Sequence, residues 1–333
     1  AAEPAGARAG RLGGRIVTAP VRVTVLGGGG FVGSEVVRWL ARRPEVTVST
    51  RTAPRLRTPA ATVADLLAAA TAAVPGDLTA ALIGADVVVN AAGDPDASSM
   101  DRPALLGANA LMPLVALLAA DRAGVARFVH LSSAVVQGRA TCLDESDRRD
   151  PFSPYAQSKC LGEEALLAAH TGTRVVLYRP PSVHSSGRRV TSRIAGIAGS
   201  PLRSVAGGDR PSPQALLANV GAAVAYLCTA ADPPAVVMHP WEGLTTGSLM
   251  QLFGGRRPRR IPGPLARGLV RAARATVGRH PAMAADLRRV EMLWFGQRQA
   301  DGWLVEQGWQ PPVGDDGWRQ LADQVRADLR TAR

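Results

Sequence analysis

The stretch VRVTVLGGGGFVGSEVV (residues 21–37) decides how the chain is read. Its first six residues form the β-branched, apolar run of a strand covered on both faces, and from Phe31 the apolar positions fall at helical spacing. Between the two, Gly27, Gly30 and Gly33 stand at G-x-x-G-x-x-G spacing. A strand, a glycine turn and a helix in that order aim free backbone N–H groups and the positive end of a helix at one point. Without Cβ atoms in the way, an anion can reach them. The predicted ligand is a dinucleotide pyrophosphate, held by Gly27, Gly30, Phe31, Val32 and Gly33.

Downstream the same alternation repeats. VTVST (46–50), DVVVNAA (86–92), RFVHLSS (127–133) and RVVLY (174–178) are short apolar runs, separated by Ala/Leu/Arg-rich stretches around 104–123 and 155–170. This predicts an α/β fold: a doubly wound parallel sheet of the Rossmann kind over residues 21–180, with a smaller C-terminal substrate-binding lobe over 181–330, some of whose segments return to the first domain. Residues 52–75 read either as a helix followed by a short strand or as helix alone. Residues 1–20 read as a flexible extension rich in Gly, Ala and Arg.

The second strand ends in Ser49, Thr50 and Arg51, where a ribose-binding carboxylate would stand in a site built for NAD(H). With Arg51 there and Thr50 beside it, a cofactor carrying a 2′-phosphate fits better, so NADP(H) is expected over NAD(H).

The chain has 39 basic residues, 27 acidic ones and a formal charge of +12, and all its basic residues are arginine except Lys159. That single lysine lies four residues after Tyr155 in SPYAQSKCLGEEALL, which places both side chains on one face of a helix. A phenol that exchanges protons near neutral pH needs a neighbouring cation, and a compact ammonium can also donate to ribose hydroxyls. Tyr155 and Lys159 are therefore catalytic candidates that also touch the cofactor. At the end of the strand 127–131, Ser132 and Ser133 either hold a substrate oxygen or simply turn the chain.

Composition excludes several classes. A hydrophobic content of 46% over 333 residues rules out disorder along the whole chain. No uninterrupted apolar run has membrane-spanning length, and residues 1–20 lack the apolar centre of a secretory signal, so a cytoplasmic protein without a membrane partner is expected. Cys142, Cys160 and Cys228 show no metal-ligand spacing, so no metal is expected. The arginines are dispersed without a nucleic-acid-binding motif, which argues against a nucleic-acid partner and for a small anionic substrate. The exception is RRPRR (256–260) with Arg267, Arg271 and Arg274, read as a solvated helix face in preference to a membrane-surface or partner-binding element.

Taken together, GGGGFVG (27–33), GDL (76–78), VVNAAG (88–93), Asn109, LSSAVVQG (131–138), YAQSK (155–159), YRPPSV (178–183) and QGWQP (307–311) resemble the extended short-chain dehydrogenase/reductase family, also called the NAD-dependent epimerase/dehydratase family. The resemblance implies a substrate that is a nucleotide sugar, and a homodimer. It implies cofactor contacts from Asp77, Leu78, Ala91, Ala92, Gly93, Asn109, Leu131, Pro181 and Val183, and it favours Ser133 over Ser132 as the catalytic serine. Ser182 and Arg210 are the substrate-binding candidates. The chain departs from the family pattern at Gln137, Ser182 and His184, and LLANV (216–220) lacks the aspartates of the corresponding family segment. Sugar dehydratases of the family carry an Asp-Glu pair after the catalytic hydroxyl, where this chain has Ala134 and Val135. The expected function is an NADPH-dependent keto-sugar reductase, with an epimerase as the alternative and a non-catalytic NADP(H)-binding protein as the alternative of another class.

Overall fold

A computed structural model describes residues 10–12, 15–17, 19–201, 203–206, 210–277 and 280–331. Six strands form one parallel sheet: β1 (Val21–Leu26), β2 (Val46–Arg51), β3 (Val87–Asn90), β4 (Arg127–Leu131), β5 (Arg174–Arg179) and β6 (Val236–Met238). Their order is β6-β5-β4-β3-β1-β2. The order reverses at β1, which pairs with β2 on one side and β3 on the other, and the carboxyl ends at such a reversal open a crevice. The doubly wound parallel sheet read from the sequence is the observed fold.

Each face of the sheet has its own core. On one, α1 (Phe31–Leu40) and α8 (Leu217–Thr229) cover Val23, Val25, Val89, Val129 and Val176. On the other, α2 (Val63–Ala73), α3 (Gly76–Leu82), α5 (Met112–Arg122) and α6 (Pro154–Ala168) cover Leu26, Val88, Phe128 and Leu177. This double cover is why the strands lack apolar-polar alternation.

Residues 52–75 resolve as helix alone. The Thr62 hydroxyl accepts the Asp65 N–H at 3.1 Å, which caps α2, and the Ala/Leu run that follows has no β-branched core to hold a strand. β2 is consequently the edge of the sheet. The helical stretch read around 104–123 is α4 (Arg102–Leu106), a π turn (Gly107–Leu111) and α5 in continuous succession. By length and composition this run could cross a membrane, but its most apolar window is 78% buried against the sheet, as a core helix is. Of residues 1–20, Gly10–Leu12 and Arg15–Val17 pair as an antiparallel ribbon, and residues 1–9 lie outside the described residues.

Beyond β5 the chain forms a smaller lobe. The strands Ser182–His184 and Gln214–Leu216 pair in parallel, and α7 (Arg189–Gly199), α9 (Thr246–Gly254) and α12 (Asp315–Thr331) pack around Phe253, Leu249 and Trp318. A hairpin of α10 (Gly263–Val277) and α11 (Pro281–Phe295) stands beside them. Residues Arg298–Gln299 pair with Cys142–Leu143, tying the lobe to the segment that follows Ser133.

Candidate active site

The glycine turn between β1 and α1 is built so that side chains cannot occupy it. A Cβ on Gly33 would lie 2.1 Å from the Gly27 carbonyl oxygen, and Gly27 itself has φ +78° with the Ala92 backbone 2.9 Å from its Cβ position. Gly30 caps α1 without any side-chain hydrogen bond, and the first helical bond runs from Ser34 N–H to Gly30 C=O. The N–H groups of Phe31, Val32 and Gly33 therefore precede the helical ladder and remain available at its positive end. Space above Gly29 is open, with nothing within 4 Å of a Cβ built there. A pyrophosphate fits this cradle.

Neighbouring strand ends complete the crevice. Arg51 is exposed at the end of β2, where its backbone carbonyl accepts the Gly27 N–H at 3.0 Å and its guanidinium bonds only the Thr50 carbonyl, at 2.9 Å. No carboxylate pairs with it among the described residues. Ala91 N–H donates to the Leu26 carbonyl, and Ala92 lies against Gly27, so the ends of β3 and β1 meet. Asp77 turns toward its own helix and accepts the Leu78 N–H at 2.9 Å, while the Leu78 side chain is buried in the core that holds Leu26.

Ser153 and Pro154 start α6, the hydroxyl accepting the Ala156 N–H at 3.1 Å and the proline occupying the first turn. Tyr155 and Lys159 then rise on one face toward β3 and β4. Lys159 Nζ donates to the Leu131 carbonyl at 3.1 Å, and burial lowers its pKa to about 8 against the opposing pull of Glu163 and Asp94. A Cβ on Gly93 would lie 3.6 Å from that ammonium and 2.8 Å from the Asn109 Oδ1. Asn109, fully buried in the π turn, accepts the Asp94 N–H at 3.1 Å and donates to Ser158 at 3.1 Å, which holds the β3 loop against α6.

The Tyr155 phenol is pushed up to about 12 by burial and by Asp94, while Arg188 and a hydrogen bond with Ser133 act in the other direction. The ammonium is engaged with Leu131, and the cation acting on Tyr155 is Arg188. That guanidinium also stacks on the Phe31 ring, 4.4 Å from its centroid, and so joins the tyrosine to the glycine turn.

The two adjacent serines separate cleanly. Ser132 is buried and donates to Glu163 Oε1 at 2.5 Å. Glu163 in turn accepts Nε and Nη2 of Arg179 at 2.9 and 2.7 Å, with both side chains fully buried. Ser133 accepts the Val135 N–H at 3.3 Å and shares a hydrogen bond with Tyr155. Ala134 N–H donates to the Pro180 carbonyl, bringing the serine turn beside Pro181, Ser182 and Val183. Arg210 is exposed at a turn packed against Gly296.

Four residues not singled out from the sequence take part: Asp94, Glu163, Arg179 and Arg188. Glu163 carried a signal, since it continues the four-residue spacing of Tyr155 and Lys159. Asp94 directly follows the VVNAAG run. Arg188 had none, because it is one arginine among many and reaches Phe31 only through the fold.

Comparison with known proteins agrees with this architecture. The chain aligns at 35% identity over 181 residues with a dTDP-6-deoxy-L-talose 4-dehydrogenase (NAD(P)(+)) of Kitasatospora kifunensis, a match covering 51% of this chain and 55% of that protein. It thus spans about half the length of that relative. Among solved structures, it superposes on UDP-glucuronic acid 4-epimerase of Bacillus cereus in complex with NAD (TM-score 0.63, 16% identity, 93% of this chain and 98% of that one). It also superposes on the dTDP-glucose 4,6-dehydratase DesIV of Streptomyces venezuelae (TM-score 0.61, 21% identity, 93% and 98%) and on a human epimerase family protein with NADPH (TM-score 0.60, 18% identity, 91% and 99%). At these identities the structural likeness speaks for the fold. The profile of the NAD-dependent epimerase/dehydratase family matches residues 23–213, more than half of the chain, and the chain belongs to that family.

Proposed function

We propose that the chain is an NADPH-dependent ketoreductase of a nucleotide-linked deoxysugar, with Tyr155 as proton donor, Ser133 holding the substrate oxygen and Lys159 holding the cofactor ribose. The observation that carries this reading is the Tyr155 phenol placed between Ser133 and Arg188 and tied, through Arg188 stacked on Phe31, to a pyrophosphate-shaped glycine turn. A resting phenol is a proton donor, which is what an oxygen gaining electrons in a reduction requires.

When bound, the nicotinamide cofactor supplies the hydride. The protein's residues do the rest. N–H groups of Phe31, Val32 and Gly33 take the pyrophosphate, and the unpaired guanidinium of Arg51 takes a 2′-phosphate, which favours NADP(H) over NAD(H). The Ser133 hydroxyl points the substrate oxygen at Tyr155, and the phenol delivers its proton as charge develops there. Lys159 uses one of its three donors on Leu131 and keeps the others for ribose hydroxyls.

The relative acts as a 4-dehydrogenase on a dTDP-linked 6-deoxy sugar, and the reverse of such a reaction is reduction of a 4-ketone. Ala134 and Val135 offer no acid or base for removing water, which argues against dehydration. The test is to incubate the purified chain with NADPH and a dTDP-linked 4-keto-6-deoxy sugar, following cofactor absorbance and sugar product together. A reductase oxidises one cofactor per product. Product formed without net cofactor oxidation identifies an epimerase, and cofactor binding without product identifies a non-catalytic binder.

A further inference from the structure

We infer that Arg188 is a diphosphate clamp, carried by the smaller lobe and closing on the pyrophosphate of the bound dinucleotide from the lobe's side of the crevice. The glycine turn supplies the other wall of that site, with backbone donors only. Arg188 directly precedes α7, yet its guanidinium crosses to the start of α1 and lies 4.4 Å from the centroid of the Phe31 ring. Phe31 is the first residue of α1, and its own N–H is one of the three ahead of the helical ladder. The charge is therefore held within one side chain of the cradle, between the glycine turn and Tyr155.

Within the chain this charge has no counter-charge. The guanidinium is half-buried, and among the described residues no carboxylate pairs with it. Tyr155, which acts on it, is a phenol without charge at neutral pH, and Asp96 acts on Arg189 and Arg193 instead. What Arg188 keeps is a contact with one aromatic ring, which is weaker than a charge-assisted bond to an anion. The start of α7 adds to the excess. Arg188 is its cap and Arg189 its first residue, with no capping side chain and no acidic residue in the first turn. Cations at the positive end of a helix are unfavourable, and an anion held beside Arg188 offsets them.

A planar guanidinium takes two phosphate oxygens at once through its fixed fork of donors. Backbone N–H groups on one side and the fork on the other would enclose a diphosphate. The diphosphate of a nucleotide-linked substrate is a second source of the same chemistry. Contact with Phe31 favours the cofactor, because that ring belongs to the turn that takes the dinucleotide. The inference holds whichever nicotinamide dinucleotide the chain prefers and whatever carbonyl it reduces, since the pyrophosphate is common to NADPH and NADH.

The experiment is fluorescence titration of the purified chain with NADPH and with NADH, and stopped-flow measurement of their release. Arg188→Ala should raise both Kd values by the same factor, roughly 10–100-fold, mostly through faster release. Arg188→Lys, which keeps the charge and loses the fork, should fall between the parent and Arg188→Ala. Both variants should keep the parental thermal midpoint, which separates a lost contact from a misfolded chain. Unchanged Kd values in Arg188→Ala overturn the inference, and so does a parental chain that binds neither dinucleotide. Weakening confined to NADPH also overturns it, because the arginine would then read the 2′-phosphate. Titration of the NADPH-loaded chain with dTDP gives the remaining arm: weaker dTDP binding with unchanged NADPH affinity assigns Arg188 to the substrate's diphosphate instead. Failure to reduce a keto-sugar would defeat the proposed activity and leave these binding results standing.

Discussion

The glycine turn with α6 and the smaller lobe use their polar groups in opposite ways. Around the turn, capacity stays open: three N–H groups ahead of the helical ladder, the Arg51 guanidinium and the remaining donors of Lys159. In the core of the lobe, several polar groups close on one another. His184 is fixed between Thr191 Oγ1 at 3.0 Å and Gln214 Oε1 at 2.7 Å, and Glu242 takes His239, Trp318 Nε1 and the Leu216 N–H. Converging groups without partners mark a site, and mutually satisfied groups mark a scaffold. The distinction reaches down to single neighbours, with Ser132 committed to Glu163 and Ser133 open toward Tyr155.

The largest effect tests the closed side of this contrast. Glu163→Gln leaves Arg179 buried without its counter-charge and should cost about 3–5 kcal/mol of stability in chemical denaturation. Slower turnover at unchanged stability would instead make Glu163 part of the chemistry. Arg51→Ala tests the open side: it should raise KM for NADPH by roughly 10–100-fold, the loss of about 1.5–3 kcal/mol from charge-assisted bonds, and leave KM for NADH in place. A parallel rise for both cofactors would mean that Arg51 does not read the 2′-phosphate.

The serine pair should split. Ser132→Ala should lower stability by about 1–3 kcal/mol, whereas Ser133→Ala should leave stability within about 0.5 kcal/mol and slow turnover. Equal behaviour of the two variants would erase the distinction drawn between them.

The smallest effect is a shift with pH. Lys159, lowered from 10.5 to about 8, loses its proton in the folded chain before the unfolded chain does. Turnover should therefore fall above about pH 8. Over the same interval, from about 8 to 10.5, stability contributed by this group rises, because the unfolded state binds the additional proton. Asp94→Asn removes an anion that supports the ammonium and should move the fall in turnover to lower pH; an unmoved profile would separate Asp94 from the site.

Much of this was legible in the sequence. The strand–glycine–helix order of residues 21–37 fixes the switch point of the sheet, and the lone lysine four residues after Tyr155 marks the helix face that meets it. What could not be read was whatever depends on approach in space. Arg188 reaches Phe31 and Tyr155 from a turn more than 30 residues further along the chain, and no local pattern distinguishes it from other arginines. Residues 62–73 remained ambiguous because an Ala/Leu run lacks a decisive period, and the cap at Thr62 together with burial of Leu66 and Ala70 decided it. Arg210 has no local spacing that separates it from other arginines, and its place at the Gly296 turn comes only from the fold.

The central claim is that Tyr155 gives the proton in a carbonyl reduction. Its most direct test is the turnover of Tyr155→Phe with NADPH and a dTDP-linked 4-keto-6-deoxy sugar, with cofactor affinity measured on the same sample. The predicted result is a kcat lower by roughly 10²–10⁴-fold at nearly unchanged NADPH affinity. Turnover at the parental rate would contradict the account.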